Sequence, residues 1–226
     1  MSGRTTALPP SLRAWLGLVA GLAALVVVGL GVAYSGHHEP GRVDRWVVDP
    51  TADSVGPPWR GVALAVDFLG EPVGAAMLVG AVVTGCLLLR SPRSALFVVA
   101  GPGIAVVTAT LLKLVVGRTI HGADNLSYPS GHTAFLTSLA LVVALLVTGR
   151  LGLGRTAGTL TVLGAALVAG AAMGWAQVAL GAHYPTDVLG GWCTALAVIP
   201  ATAWVVDRTA DRPAGRATDA GRRELR

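Results

Sequence analysis

Apolar residues occur in long runs along this chain, separated by short segments that carry the charges. A helix of about 20 apolar residues is long enough to cross the hydrocarbon core of a bilayer. Runs of roughly this length without a charged side chain therefore predict transmembrane helices. Six such runs are present: 15–34, 72–89, 95–112, 133–148, 156–176 and 188–206.

Two of the apolar segments need a separate interpretation. Residues 61–71 are apolar except for Asp67 and Glu71, and two acids would be costly in lipid, so this segment is predicted to be an interfacial or re-entrant approach helix. Residues 15–34 follow two arginines, as a signal peptide does, but they are too long for its core and lack a clear cleavage site. We expect them to form an uncleaved first span.

Composition agrees with a membrane protein. The chain of 226 residues is 53% hydrophobic and 13% charged, with a mean hydropathy of +0.66, so its polar residues are too few to cover a soluble globule. The net charge of +5 comes from arginines scattered between the apolar runs, which argues against nucleic acid as a partner. Cys86 and Cys193 lie in apolar runs without metal-type spacing and are expected to pack.

The basic residues predict the orientation. With the N-terminus in the cytoplasm, 12 of the 17 fall on the cytoplasmic side, six of them in the C-terminal tail. The positive-inside rule therefore predicts that both termini are cytoplasmic. The expected organisation is a cytoplasmic segment (1–14), a six-helix membrane domain (15–206) and a basic, disordered tail (207–226).

The histidines and the only lysine indicate where the chemistry lies. All five histidines fall in segments assigned to the outer side or at their junctions with the helices. His121, His132 and His183 belong to two loops, after the third and fifth spans, that share one face in this topology. Lys113 ends the third span and is the only lysine in a sequence that has 16 arginines. It fits either an anion-binding role or a charge that reaches the interface from a helix end.

Two short motifs lie in these loops. Pro129-Ser130-Gly131-His132 directly precedes the fourth span, where Ser130 is a natural N-cap and the first helical amides form an anion site. In the other loop, His183 and Asp187 are four residues apart. The carboxylate would accept the imidazole N–H, fix its tautomer and raise its nucleophilicity. A helix-capping pair without chemistry also explains this second motif.

Lys113 with Arg118, the Pro-Ser-Gly-His motif and the His183–Asp187 pair follow one another on one predicted face. In these features residues 60–206 resemble the type-2 phosphatidic acid phosphatase family of membrane lipid phosphatases. The resemblance implies an all-α polytopic protein of six transmembrane helices with a core like that of the vanadium haloperoxidases. It also implies a phosphatase of lipid phosphates that uses no metal and no cofactor.

The resemblance implies a role for each motif residue. His183 attacks phosphorus with Asp187 orienting it, while His132 protonates the leaving group and then helps to activate water. The groups expected to hold the phosphoryl oxygens are cationic side chains and helix-start groups, namely Lys113, Arg118, Ser130 and Gly131.

Two arginines of the family pattern are missing from this chain. The first motif normally runs from its lysine through six residues to Arg-Pro, and Ile120 and His121 hold those two positions. The third motif normally opens with Ser-Arg, where this chain has Ala176 and Gln177. His121, Gln177 and Arg118 are the expected substitutes in binding phosphate, although none restores a bidentate fork at the missing positions.

Three functions remain open from the sequence. The first is a phosphatase of phosphatidic acid, phosphatidylglycerol phosphate or polyprenyl phosphates, with its site on the extracytoplasmic side of the cell membrane. The second is a catalytically weak relative that binds lipid phosphates as a carrier, regulator or assembly partner. The catalytic motif residues favour the enzyme. A third, a zinc or iron site of His132, His183 and Asp187, is disfavoured by the nearby lysine and helix starts.

Overall fold

The computed structural model of the chain describes residues 6–52 and 55–224. Within these ranges the regular elements are helices, after a 3-10 turn at Pro10–Leu12. In chain order they are α1 (Arg13–Ala33), α2 (Arg42–Ala52), α3 (Pro57–Phe68), α4 (Pro72–Leu88), α5 (Pro92–Val116), α6 (Gly131–Leu151), α7 (Arg155–Ala179) and α8 (Pro185–Glu224).

The predicted membrane spans correspond to these helices. Five segments of the described chain are each long and apolar enough to cross a membrane: α1 with its preceding turn, α5, α6, α7 and the first 25 residues of α8. α3 and α4 meet this criterion only as a pair, and the pair is bent by 61°. The described chain thus has five candidate spans, or six when the bent pair counts as one. The prediction of an all-α, multi-pass membrane protein is confirmed.

The bend between α3 and α4 places two acidic residues at one end of the bundle. α3 ends at Phe68 and α4 begins at Pro72, so Asp67 and Glu71 flank the turn between them. Proline has no N–H and therefore starts a helix more readily than it continues one. The turn is tight, because a Cβ at Gly74 would overlap the backbone of Phe68. A helix is thus present where the approach helix was predicted over 61–71, although it spans residues 57–68. Its interfacial or re-entrant placement stays a prediction.

α6 is the central helix of the bundle. It packs against α4, α5, α7 and α8, and its buried face carries both apolar and small polar side chains. α1 packs along α8, and α3 packs along α7. Trp192 on α8 donates its indole N–H to the Ala166 carbonyl on α7, at 2.9 Å. The two helices that carry the histidine motifs, α6 and α8, are therefore held by neighbours on several sides.

A buried carboxylate binds the N-terminal segment to one end of the bundle. Asp207 accepts hydrogen bonds from the amides of Ala7 and Leu8, at 2.8 and 3.0 Å, and from the Arg93 guanidinium at 2.5 Å. The residues before α1 and the end of the predicted sixth span therefore lie at the same end of the bundle. The motif-bearing loops lie at the opposite end, because α5, α6 and α8 each run the length of the bundle.

The C-terminal segment differs from the expectation of a disordered tail. The backbone of α8 stays helical to Glu224, past the predicted end of the span at residue 206. Alanine and arginine recur in this segment, and both rank high in helix propensity.

Candidate active site

The two histidine motifs meet where α6 and α8 begin. The Ser130 amide donates to the Asp187 carbonyl at 2.9 Å, which joins the start of one helix to the start of the other. Two glycines of α8 make this approach possible, since a Cβ at Gly191 would overlap the Ser130 carbonyl oxygen and one at Gly190 would overlap the Tyr128 ring. The glycine pair therefore has a packing role in assembling the site.

We expect Gly191→Ala to separate the two helix starts. The added methyl group meets backbone, which cannot rotate away, so the free energy of unfolding should fall by about 1–3 kcal/mol. Gly164→Ala on α7 is the matched control, because its Cβ would have no heavy atom within 4 Å. Thermal unfolding in detergent measures both. A Gly191→Ala protein as stable as the control would contradict this account of the contact.

His183 has the environment of a neutral imidazole. It is 8% exposed, and its Nδ1 faces Asp187 Oδ2 at 3.7 Å, too long for a hydrogen bond. Burial lowers the pKa of His183, and positive charge on Lys113 and His132 lowers it further, while Asp187 opposes the shift. These electrostatic contributions also indicate that the predicted nucleophile, acid and lysine share one neighbourhood. An uncharged imidazole is the form that attacks an electrophile.

Arg118 holds Asp187 in place. Its guanidinium is fully buried and donates to Asp187 Oδ1 and to Asp44 Oδ2, each at 2.6 Å. The rings of Tyr34 and Tyr184 cover it at 4.2 and 4.6 Å. The predicted role of Arg118 in binding phosphate is therefore not supported by its contacts, and it stays a prediction. Both of its terminal nitrogens are engaged with carboxylates, and none of its side chain is accessible.

Asp44, on α2, was not predicted from the sequence. It is fully buried, and it also accepts from the amide and the hydroxyl of Thr186, at 3.0 and 2.8 Å. Asp187 in turn accepts from the Tyr184 amide at 3.1 Å. The start of α8 is thus fixed through one network of two carboxylates and one guanidinium.

Three of the predicted phosphate ligands contact protein groups. Lys113 Nζ donates to the Leu126 carbonyl at 2.9 Å, and Gln177 Nε2 donates to Asp67 Oδ1 at 2.5 Å. The exposed His121 lies 2.7 Å from the Gly181 carbonyl through its Nε2, and it ties the two motif loops together. Lys113 has further donors and is half-buried beside His183, so it stays available to an anion.

The helix start of α6 has the predicted form. Ser130 is its N-cap and accepts from the Thr133 amide at 3.4 Å. A Cβ at Gly131 would meet no heavy atom within 4 Å, so the space before the first helical turn is open. First-turn amides have no acceptor within their own helix, and an anion at this point would supply one.

His132 lies beside the two acids of the α3–α4 turn. Its Nε2 is 3.5 Å from Glu71 Oε1 and 3.7 Å from Asp67 Oδ1. A Cβ at Gly70 would overlap the His132 ring, so this glycine lets the turn approach closely. In the part of the chain that the structure describes, these three residues are the ones grouped with metal-ligand spacing. The alternative set of His132 with His183 and Asp187 is not grouped in that way.

The helices and the site together define a class of protein, a multi-pass membrane protein with two histidines and helix-start amides at one end of the bundle. The model of the PAP2 superfamily matches residues 74–211, which include both motifs, and the chain belongs to this superfamily. Asp44, Asp67 and Glu71 precede the matched region. The resemblance noted in the sequence is thereby confirmed.

A solved structure has a similar fold. It is described as the crystal structure of the first transmembrane PAP2-type phosphatidylglycerolphosphate phosphatase from Bacillus subtilis. The TM-score is 0.67 at 20% sequence identity, and the match covers 85% of this chain and 96% of the other. A search of curated proteins finds no match. The chain therefore has the fold of a PAP2-type membrane phosphatase.

Proposed function

We propose that this protein is an integral membrane lipid phosphatase that hydrolyses a lipid phosphomonoester or diphosphate through a phosphohistidine on His183. The observation that carries the proposal is the 2.9 Å bond from the Ser130 amide to the Asp187 carbonyl. It brings the open amides of one helix start beside the imidazole and carboxylate of the other. A nucleophile, a proton donor and anion-binding groups then lie at two adjoining helix starts, and phosphoryl transfer needs these groups close together.

In the first step, Nε2 of His183 attacks phosphorus, because Nδ1 faces Asp187. The N–P bond forms as the P–O bond to the lipid breaks, and His132 gives its proton to the leaving oxygen. In the second step, water attacks the phosphohistidine, the P–N bond breaks and His132 accepts the proton of the water. Lys113 and the first-turn amides hold the phosphoryl oxygens throughout.

An apolar groove next to the site supports a lipid substrate. The groove has a volume of about 560 Å³ and runs between α4, α6 and α7. It begins at Leu69, within the α3–α4 turn, and at Leu136, one helical turn from His132. A lipid tail in this groove would leave its phosphate at the level of the histidines. Phosphatidic acid, phosphatidylglycerol phosphate and polyprenyl phosphates all have this form.

The distribution of arginines supports the extracytoplasmic side of the cell membrane for the site. The end of the bundle with Asp207 and the N-terminal segment is the one that the positive-inside rule assigns to the cytoplasm. The histidines lie at the other end.

A lipid-phosphate binder with weak catalysis is the second candidate. The engagement of Arg118 and Gln177 with carboxylates favours it, because neither then contributes charge or a donor to phosphate. His183 favours the enzyme, because burial lowers its pKa, its Nδ1 faces Asp187, and a binder has no need of a nucleophile.

Phosphate release from a panel of lipid phosphates distinguishes the two candidates. We expect the purified protein in detergent, with EDTA present, to release phosphate from at least one lipid of the three classes. His183→Ala protein, purified identically, reports contaminating phosphatase. If no lipid of the panel releases phosphate while the protein still binds lipid phosphates, the result would contradict the enzyme and support the binder.

A further inference from the structure

We propose that Asp67, Glu71 and His132 form a binding site for a divalent transition-metal ion, with zinc as the best-fitting ion. Asp67 lies in the last turn of α3 and Glu71 directly precedes α4, both outside the region that matches the superfamily, and neither has a part in the proposed reaction. One imidazole and two carboxylates form a donor set suited to zinc.

The distances between the three side chains fit metal coordination better than hydrogen bonding. His132 Nε2 is 3.5 and 3.7 Å from the nearest carboxylate oxygens, and all three ligand atoms lie within 4.8 Å of one another. A direct hydrogen bond would be shorter, about 2.7–3.2 Å. Ligand atoms about 2.1 Å from a tetrahedral zinc ion are about 3.4 Å apart. The three ligand atoms therefore lie close enough together for one ion to contact all of them.

His132 Nε2 also lacks a hydrogen-bond partner. The atom is buried, and within residues 6–52 and 55–224 no donor or acceptor satisfies it. Such an orphaned ring nitrogen is uncommon in native proteins and calls for an explanation. A metal ion bound through Nε2 supplies one.

The charge around the turn also favours a cation. In the described chain, Asp67 and Glu71 form ion pairs with no lysine or arginine, and their partner is His132. Gln177, which stands where the family has arginine, gives Asp67 a hydrogen bond at 2.5 Å but no positive charge. At most one imidazole therefore compensates the negative charge of these two carboxylates, which lie beside a site proposed for an anionic lipid.

Gln177 resembles the outer-shell partner of a metal ligand. It is 1% exposed, and its amide fixes the orientation of the Asp67 carboxylate. Carboxylates that ligate metals are usually oriented by such hydrogen bonds. The side chain of Glu71 is 52% exposed, which gives an ion a path to the site. Three protein ligands leave a fourth position for water or for an anionic oxygen.

Metal binding would compete with a proton at His132 Nε2. The consequence, which rests on the proposed function, is that zinc inhibits the phosphatase by removing its proton donor. Binding itself depends only on the three side chains, so it is tested apart from turnover.

Calorimetric titration of zinc into the full-length protein tests the site. The protein is purified in detergent, treated with EDTA and desalted. We expect the wild type to bind one equivalent, and Asp67→Asn and Glu71→Gln each to weaken binding by at least about tenfold. Asp124→Asn, which changes an exposed carboxylate of the neighbouring loop, is the matched control and should bind as the wild type does. Thermal unfolding without zinc checks that each variant folds.

The outcomes separate the site from the proposed function. His183→Ala should bind zinc normally although it does not turn over lipid, and the inhibition constant for zinc should rise at least tenfold in Glu71→Gln. No zinc binding by the wild type, or equal binding by the cluster variants and the wild type, would overturn the proposal. Equal binding would place the ion elsewhere, such as at the exposed His37 and His38. If no lipid is hydrolysed, the titration still decides on the site.

Discussion

Replacement of His183 by alanine is expected to lower kcat by about 10⁴-fold or more while the protein still folds, because the nucleophile that forms the covalent intermediate is lost. The measurement is phosphate release from whichever lipid the wild type hydrolyses best. His37→Ala removes an exposed histidine from the segment between α1 and α2 and is the matched control. It should turn over at the wild-type rate. An acid-labile phosphoryl group trapped on the wild type and absent from His183→Ala would identify the intermediate.

The pH dependence of the wild type follows from the burial of His183. Burial lowers the pKa of this histidine, and the neutral form attacks. kcat/KM should therefore rise with pH through that pKa, with the rising limb below the usual histidine value of about 6.5. The unfolded chain binds this proton at higher pH than the folded chain does. Stability should therefore also rise with pH across the interval between the two pKa values, and His183→Ala should flatten this rise.

Residual turnover near the wild-type level in a folded His183→Ala protein would contradict the phosphohistidine mechanism. A rising limb above pH 7 would contradict the lowered pKa of His183, because burial should move that limb below the usual histidine value.

The transmembrane helices and the helix-start motifs were predictable from the sequence because both are local. A span appears as an uninterrupted apolar run, and the cap at Ser130 depends on residues within one helical turn. The His183–Asp187 pair is equally local. That the two motifs lie on one face was predictable from the order of the spans alone, because the loops after the third and fifth spans share a face.

The partners of the charged groups were not predictable, because they depend on contacts between distant segments. Asp44 lies 74 residues before Arg118, in a helix that the apolar pattern did not indicate. Asp67 is 110 residues from Gln177. The sequence showed that an arginine is replaced at position 177, but not that a carboxylate stands beside the replacement. Arg118 was expected to bind phosphate for the same reason: the sequence does not show which carboxylates contact it.

The second prediction with a large expected effect concerns the buried network around Arg118. Arg118→Met should lower the free energy of unfolding by about 3–5 kcal/mol, because it leaves Asp44 and Asp187 buried without a compensating charge. Arg42→Met, at an exposed arginine of α2, is the matched control and should change stability little. The double variant Arg118→Met with Asp44→Asn should recover part of the loss, since one of the two uncompensated charges is removed. Thermal and denaturant unfolding in detergent measure all three.

Arg118→Lys distinguishes a positioning residue from a phosphate ligand. Lysine keeps the charge but cannot bridge two carboxylates with a planar fork, so Asp187 should lose its fixed orientation. If Arg118 acts through Asp187, kcat should fall by about tenfold or more while KM stays close to the wild-type value, because His183 is misoriented and lipid binding is intact. A rise in KM at constant kcat would instead mean that the guanidinium contacts the lipid phosphate. Such a result would restore the interpretation that the sequence first favoured and would contradict the buried ion-pair network as the role of this residue.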